Sequence, residues 1–585
     1  MYSTKFKLKL RPNRPFIVSK LAARIIIAAL GIFTLATMNG CTSSSTSSNN
    51  HADYKGKSGN DAGNGVGKDI SNLSKPANTL YVDIANEPAS LDPALAEDWY
   101  SYRVINDLFA GLMDFDQTNK PILGLAARVD ISPDGKTYTF HLRDNLKFSD
   151  GTPLTAADVV YSWQRLVDPK TASPYNFILR DIVNANEIMQ GKLPVAQLGI
   201  KDSNPNTVVV SLTHPSNAFL TYITLPNAFV VPKHIIQKFG NDWTNPKHIV
   251  TTGAYTLKEH VLNGHITTEK NPNYYGAENV AISHIEYFPY IEPNTSIANY
   301  KTGHLDITGQ TMPVDQYQKL KIQYPNELHT APWERIDFLN FNMMLPKYAD
   351  NPNLRRALSM AIDREIITKK VLNAEQQALY STVSPTIENG KYADIKYSWS
   401  TLSRQAQSTM AQKLYKEAGY SKTHPLTITL KYKTSDLYKK VAIAIAAMWT
   451  ETLGVNVILQ NQEWKTLVQA LHKGDYDIAT GGWGADFNSI TTYTPIYQCG
   501  NGNNNTHYCN HKYDALINQA ENTIDPIQQE KIYKEAINFM LDEYTTIPLF
   551  EPTHQRLINP RVQNYNMEQN YLDNVQSKWI KIENK

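Results

Sequence analysis

An α/β architecture of more than one domain is what these 585 residues predict, and three observations carry the prediction. The length exceeds what one hydrophobic core normally serves. From Leu80 onward, short apolar runs alternate with stretches of helical spacing, the grammar of sheets covered by helices. The composition, 42% hydrophobic and 19% charged, is globular rather than disordered or membrane-integral.

Before that alternation begins, residues 1–40 carry Lys5, Lys7, Lys9, Arg11, Arg14, Lys20 and Arg24 and no acid. An apolar run from Ile25 to Met38 follows, then MNGC, ending at Cys41. A basic start, an apolar segment short for a membrane span and a small residue before the break describe an export signal. Glycine before cysteine resembles the bacterial lipobox, so Cys41 is expected to be lipidated, although Met38 and Asn39 depart from its usual residues. The competing reading is an uncleaved anchor. Without residues 1–40 the formal charge of +2 becomes about −5. That balance speaks against nucleic-acid binding, which wants a basic face. Residues 41–78 are mainly Ser, Asn and Gly and read as a flexible tether. The GNGVGKD inside them has no hydroxyl residue after Lys68 and no preceding strand, so it is no phosphate loop.

In the folded part, LYVDIA reads as a strand and Trp99 to Met113 as a helix, with Val104, Ile105, Leu108 and Leu112 on one side. KTYTFHLRDNLKFSDGTPLTAADVV reads as two strands, a DG turn and a helix. Thr155 and Asp158 form that helix's start signal, and Val159, Val160, Trp163 and Leu166 form its buried stripe. Asn351 caps and Pro352 opens a helix whose stripe runs through Leu354, Leu358, Ala361, Ile362 and Ile366. LTITLKYK is a strand, Asp436 caps a helix reaching Leu453, Gly454 stops it, and VNVILQ resumes as a strand.

Cys499 and Cys509 flank an Asn/Gly loop; in an oxidising compartment they are expected to pair. His507 and His511 make zinc conceivable, but the spacing fits no standard ligand pattern. No G-x-S-x-G, H-E-x-x-H or dinucleotide fingerprint occurs, so nothing in the sequence argues for an enzyme or a cofactor. The 34 tyrosines outnumber Phe and Trp together, which suits a wet binding surface or a fold rich in aromatic strands.

One stretch, GGWGADFNSITTY, sets Asp486 behind three glycines and Trp483, far from any basic residue in sequence. Such an aspartate is solvated, caps a helix, or waits for a cation from outside the chain. SLDPALAEDWYSYRVINDLFAGL, the segment from YTFHLRDNLKF to DPKTASPY, IVTTGAYTLKEH, LRRALSMAIDREII, NQEWKTL and GGWGADFN occur in this order. Together they resemble the periplasmic oligopeptide-binding proteins, the substrate-capturing subunits of bacterial peptide ABC importers, from about Leu80 to Trp579.

The resemblance implies a type II periplasmic-binding-protein fold, two lobes closing on a cleft plus an inserted domain. Domain I is expected over 79–110, 234–334 and 553–585, domain II over 111–233 and domain III over 335–552. It also implies a short peptide held in extended form between domains I and III, a membrane permease as partner, a monomeric lipid-anchored protein of the cell envelope and no catalytic residue. Asp486 matches the family aspartate that takes the peptide's α-ammonium, with Trp483 as pocket wall; Glu97, Tyr175 and Trp464 match further ligand neighbours. The family's cations for the ligand carboxylate are missing: Thr480, Tyr438 and Leu372 stand where arginine, histidine and lysine are expected. Gly484 and Arg335 replace a cysteine pair. Arg335 or Lys433 is expected to supply a displaced cation. The alternative is a specialised ligand such as a murein peptide; nickel or haem would want histidines or an apolar pocket, and an envelope hydrolase is the remaining class.

Overall fold

The computed structural model describes residues 78–583. The expected export signal, the lipidation at Cys41 and all of the tether but its last residue lie outside the described residues.

Two four-stranded sheets and one of six strands organise the chain. In the first, Thr79–Asp83 runs parallel to His284–Phe288, which continues antiparallel through His265–Lys270 to Tyr255–Val261. The second is antiparallel, in the order Ala126–Ile131, Thr137–Leu142, Thr207–Ser211, Ile200–Asn204. The third is mixed, in the order Gln377–Ala378, Thr546–Glu551, Arg335–Phe341, Ile478–Gly484, Thr427–Lys433, Asn456–Gln462. Each has its own apolar core: Leu80, Ile105 and Tyr287 at the first, Phe140, Trp163 and Val208 at the second, Leu339, Leu430 and Trp449 at the third. A ribbon of Leu328–Pro332 and Thr553–Leu557 feeds two strands of the third sheet directly. The chain crosses through Trp333 and Glu334 on one side and through Pro552, directly after the strand end at Glu551, on the other, where Trp333 N–H donates to Pro552 O at 3.0 Å. The α/β class expected from strand–helix alternation is present.

Local signals predicted several elements correctly. Thr155 and Asp158 form a capping box on the helix Ala156–Val167, in which Val159, Trp163 and Leu166 are buried. Asn351 accepts from Leu354 N–H at the head of Pro352–Ala361. Gly454 closes Asp436–Leu453 in the left-handed conformation, φ 78°, which costs glycine little.

Other expectations need correction. The helix from Trp99 ends at Leu108 rather than Met113, because Leu108 O accepts from Gly253 N–H and Ala110 N–H turns to Thr252 Oγ1. The second strand expected before the DG turn is an isolated bridge between Lys147 and Pro153. Ser435, not Asp436, stands at the cap position; Asp436 is the first helical residue, where its charge complements the helix dipole. Ile366 leaves the apolar stripe and is exposed, since the helix breaks at Ile362 and buried Arg364 turns inward to the carbonyls of Leu379 and Pro548.

Candidate functional site

The strand Ile478–Gly484 ends beside Asp486, and the next residue fixes where that carboxylate points. Phe487 is buried in the core of the second sheet, its ring 4.9 Å from that of Tyr222. Asp486 N–H donates to Thr492 Oγ1 at 3.1 Å. The side chain is therefore held at the seam between residues from the second and third sheets. There Tyr175 Oη donates to Asp486 Oδ1 at 2.9 Å, across 311 residues of sequence. The Tyr175 ring meets Tyr102 edge-on at 6.0 Å, and Tyr102 donates to Asn227 Oδ1 at 2.9 Å, so the hydroxyl that touches Asp486 is itself braced. Asp486 opens no helix, which removes the cap reading. It is half-buried, which removes the freely solvated one.

Electrostatics sharpen this. Burial pushes the Asp486 carboxyl up to about 6, and the Tyr175 hydrogen bond only partly offsets that. Among the described residues no basic side chain forms an ion pair with it. Burial also raises the Tyr175 phenol, further raised by Asp486, so Tyr175 stays a neutral donor. A carboxylate left in this setting is stabilised by any cation that enters.

A cavity of about 710 Å³ opens in front of it. Glu97, Tyr175, Trp464, Trp483 and Asp486 line it, so five of the residues expected at the site come together. Glu97 is exposed at the mouth, Trp464 begins the helix Trp464–Lys473, and Trp483 lies in register with Ile336. The Trp483 indole N–H is buried with no acceptor among the described residues.

The other expected residues gather beside the cavity lining rather than in it. Arg335 Nη2 and Tyr438 Oη both donate to Asp337 Oδ1 at 3.0 Å, and Asp337 is buried. Burial works against the Arg335 charge, and Asp337 more than compensates, holding the guanidinium above its usual range. Thr480 is buried, its hydroxyl accepting Lys433 N–H at 3.3 Å. Lys433 places its ammonium 5.2 Å from the Trp464 ring and 6.0 Å from that of Tyr438. Of the two expected cations, then, Arg335 is already paired. Leu372, where a lysine was expected, is fully buried in the core.

Cys499 and Cys509 form a disulfide, S–S 2.09 Å, as expected. His511 Nδ1 is 4.0 Å from Cys499 Sγ, but sulfurs joined to each other are not zinc-binding thiolates. The closed loop sends Asn501, Gly502 and Asn503 to the cavity wall, a role that the spacing of the cysteines does not disclose.

Sequence reasoning missed two buried glutamates at the strand crossings. Glu334 and Glu551 are each 2% exposed, with no cationic partner among the described residues. Thr386 Oγ1 lies 2.7 Å from Glu334 Oε2 and 3.2 Å from Glu551 Oε1. Ser384 Oγ donates to Glu551 at 2.5 Å and Tyr493 Oη to Glu334 at 3.2 Å. Burial, reinforced by Glu334, pushes Glu551 up to about 8, and burial raises Glu334. Glu334 O also accepts Ala485 N–H at 2.7 Å, directly before Asp486. Neither glutamate stands in a recognisable motif.

A multi-domain α/β scaffold with an isolated acid facing a large cavity defines a ligand-capturing protein of the periplasmic-binding class. The chain belongs to the bacterial extracellular solute-binding proteins, family 5, whose model matches residues 91–505. It is 38% identical over 506 residues to the periplasmic oligopeptide-binding protein OppA of Salmonella typhimurium, covering 86% of this chain and 92% of that one. To the periplasmic murein peptide-binding protein MppA of Escherichia coli it is 35% identical, covering 83% and 90%. Among solved structures, Haemophilus influenzae OppA in complex with RPPGFSPFR superposes with a TM-score of 0.76 at 33% identity, covering 86% of this chain and 99% of that one.

Proposed function

We propose that this chain captures short peptides for a bacterial ABC importer, taking the ligand's α-ammonium on Asp486 and delivering it to a membrane permease. The single observation that carries this is the Asp486 carboxylate, half-buried, held by one neutral hydroxyl and open to a cavity of about 710 Å³. An extended peptide adds backbone hydrogen bonds that do not depend on its sequence, while a roomy hydrated cavity tolerates many side chains. The lobes of this reading are domain I over 79–110, 234–334 and 553–585, domain II over 111–233 and domain III over 335–552. Closure of I and III on the ligand is the signal to the permease. Relatives named periplasmic support that compartment for this chain; its lipid attachment through Cys41 and its monomeric state belong to the same proposal.

Peptide titration by calorimetry tests it. A tripeptide binds; its N-acetylated form and the Asp486→Asn variant each lose a hundredfold or more, the cost of stranding one partner of a buried pair being about 3–5 kcal/mol. Equal affinity for free and acetylated peptide refutes the reading. Mass spectrometry of the bound ligand separates capture from hydrolysis, since a receptor returns its peptide intact.

A second reading has a specific observation behind it. Thr480, Tyr438 and Leu372 leave none of the three expected cations for a plain C-terminal carboxylate. A murein peptide carries carboxylates in other places, and the 35% identity to a murein peptide-binding protein supports including that ligand class in the titration.

A further inference from the structure

Segment 384–391 holds one backbone feature that its residue types do not call for. Glu388, Asn389 and Gly390 are three consecutive residues in the left-handed conformation, with φ of 49°, 60° and 85°. Glycine adopts it freely and asparagine often, but a glutamate there stands against its own backbone preference. Such strain persists only where the surroundings over-determine it, and it gathers at functional sites. Here the surroundings are the loop that follows Asp486. Glu388 N–H donates to Asn488 Oδ1 at 2.7 Å, and Glu388 Oε1 accepts from Ile490 N–H at 2.8 Å. That is a two-point clasp between segments 100 and 102 residues apart. The other carboxylate oxygen of Glu388 pairs with Lys391 Nζ, which leaves Oε1 to the loop.

We propose that Glu388 is a positioning residue for Asp486, its clasp on Asn488 and Ile490 fixing the loop so that the aspartate stays turned to the cavity. The inference rests on the peptide reading above and deepens it. Both ends of the loop return to segment 384–391. Ahead of Asp486, Thr386 Oγ1 donates to Glu334 Oε2 at 2.7 Å, and Glu334 O accepts Ala485 N–H at 2.7 Å. Behind it, Glu388 takes Ile490 N–H. Between those anchors Phe487 is sunk in the core of the second sheet, and Asp486 N–H is held by Thr492 Oγ1. Glu388 does not line the cavity in front of Asp486. It lines a second one, of about 430 Å³, together with Asn488, Ser489 and Ile490. Its effect on a ligand therefore passes through the loop. Nor does Glu388 act on Asp486 as a charge, since burial and the Tyr175 hydrogen bond account for the shift of that carboxyl. What it supplies is geometry. A charge-assisted hydrogen bond holds an ammonium about 2.8 Å from its carboxylate, and a loop free to shift by about 1 Å forfeits that contact.

The test titrates a tripeptide and its N-acetylated form calorimetrically against the parent, Glu388→Gly, Glu388→Gln and Asn488→Ala. Glycine removes the carboxylate and also relieves the left-handed backbone. Glutamine keeps an oxygen for Ile490 N–H and drops the charge. Asn488→Ala opens the other half of the clasp without touching the strained residues, and it decides the matter should Glu388→Gly fail to fold. The parent prefers the free amine a hundredfold or more. Glu388→Gly loses at least tenfold of that preference and Asn488→Ala at least threefold, each through weaker binding of the free amine. Glu388→Gln retains the preference. A full preference in Glu388→Gly or Asn488→Ala overturns the assignment. An equal loss for both peptides does so too, being the signature of a purely structural glutamate, and so does a loss in Glu388→Gln as large as that in Glu388→Gly. In each of these cases the peptide reading stands, because the parent still distinguishes the two peptides. If the parent binds both forms equally, that reading falls and the assignment with it.

Discussion

Replacing Glu551 by glutamine should change how stability depends on pH more than stability itself. Glu551 and Glu334 are both 2% exposed, flank the two strand crossings and share Thr386 without a cation. Burial and then Glu334 raise Glu551 to about 8, whereas a carboxyl in the unfolded chain titrates near 4.3. The folded protein therefore keeps a proton that the unfolded chain releases. Stability conferred by that proton is complete below about pH 4, declines as pH rises, and is gone above about 8. A gap of roughly 3.5 units at 1.36 kcal/mol each amounts to about 5 kcal/mol over that window. Glutamine cannot ionise, keeps an oxygen for the Ser384 hydroxyl and mimics the protonated acid. Denaturant or thermal unfolding between pH 5 and 9 is the assay. The parent should lose several kcal/mol relative to Glu551→Gln as pH rises, with most of the gap opened by pH 8. Parallel curves for parent and variant would refute the reasoning, because a glutamate ionised in the fold at pH 5 has nothing to lose.

The remaining predictions are smaller. Because the Asp486 carboxyl sits near 6, affinity for a free-amino peptide should fall towards tenfold per pH unit below that value, while Asp486→Asn shows no such slope; titrations from pH 7.5 to 4.5 check it. Exchanging both Cys499 and Cys509 for serine opens a loop of about ten residues and should cost 2–3 kcal/mol by chain entropy. Since that loop walls the cavity, peptide affinity should drop in the same variant. Gly482→Ala would drive a methyl into Arg335 Nη2 and Asp337 Oδ1, forcing the pair apart at about 1–3 kcal/mol, measurable by unfolding. An unchanged midpoint would show that the guanidinium does not lie across that glycine.

Signals acting within a few residues were legible in the sequence. Thr155 with Asp158, Asn351 with Pro352, and Gly454 each place a helix end by meeting backbone groups within one turn. The pairing of Cys499 with Cys509 follows from a short loop in an oxidising setting. Asp486 and Trp483 stood out because glycines and an aromatic framed a carboxylate with no local partner. Arg335 and Asp337 were in principle legible too, as residues two apart on a strand share a face, but their pairing emerged only once the strand was in register.

Only the tertiary structure decided that Tyr175 is the hydroxyl on Asp486, that Glu334 and Glu551 meet over Thr386, and that Leu108 ends its helix at Gly253. The reason is physical. A cap or a turn is an energy difference between conformations of one short segment, which its own residues set. A raised carboxyl or a stranded ammonium is an energy of burial, set by whatever the rest of the chain packs around it.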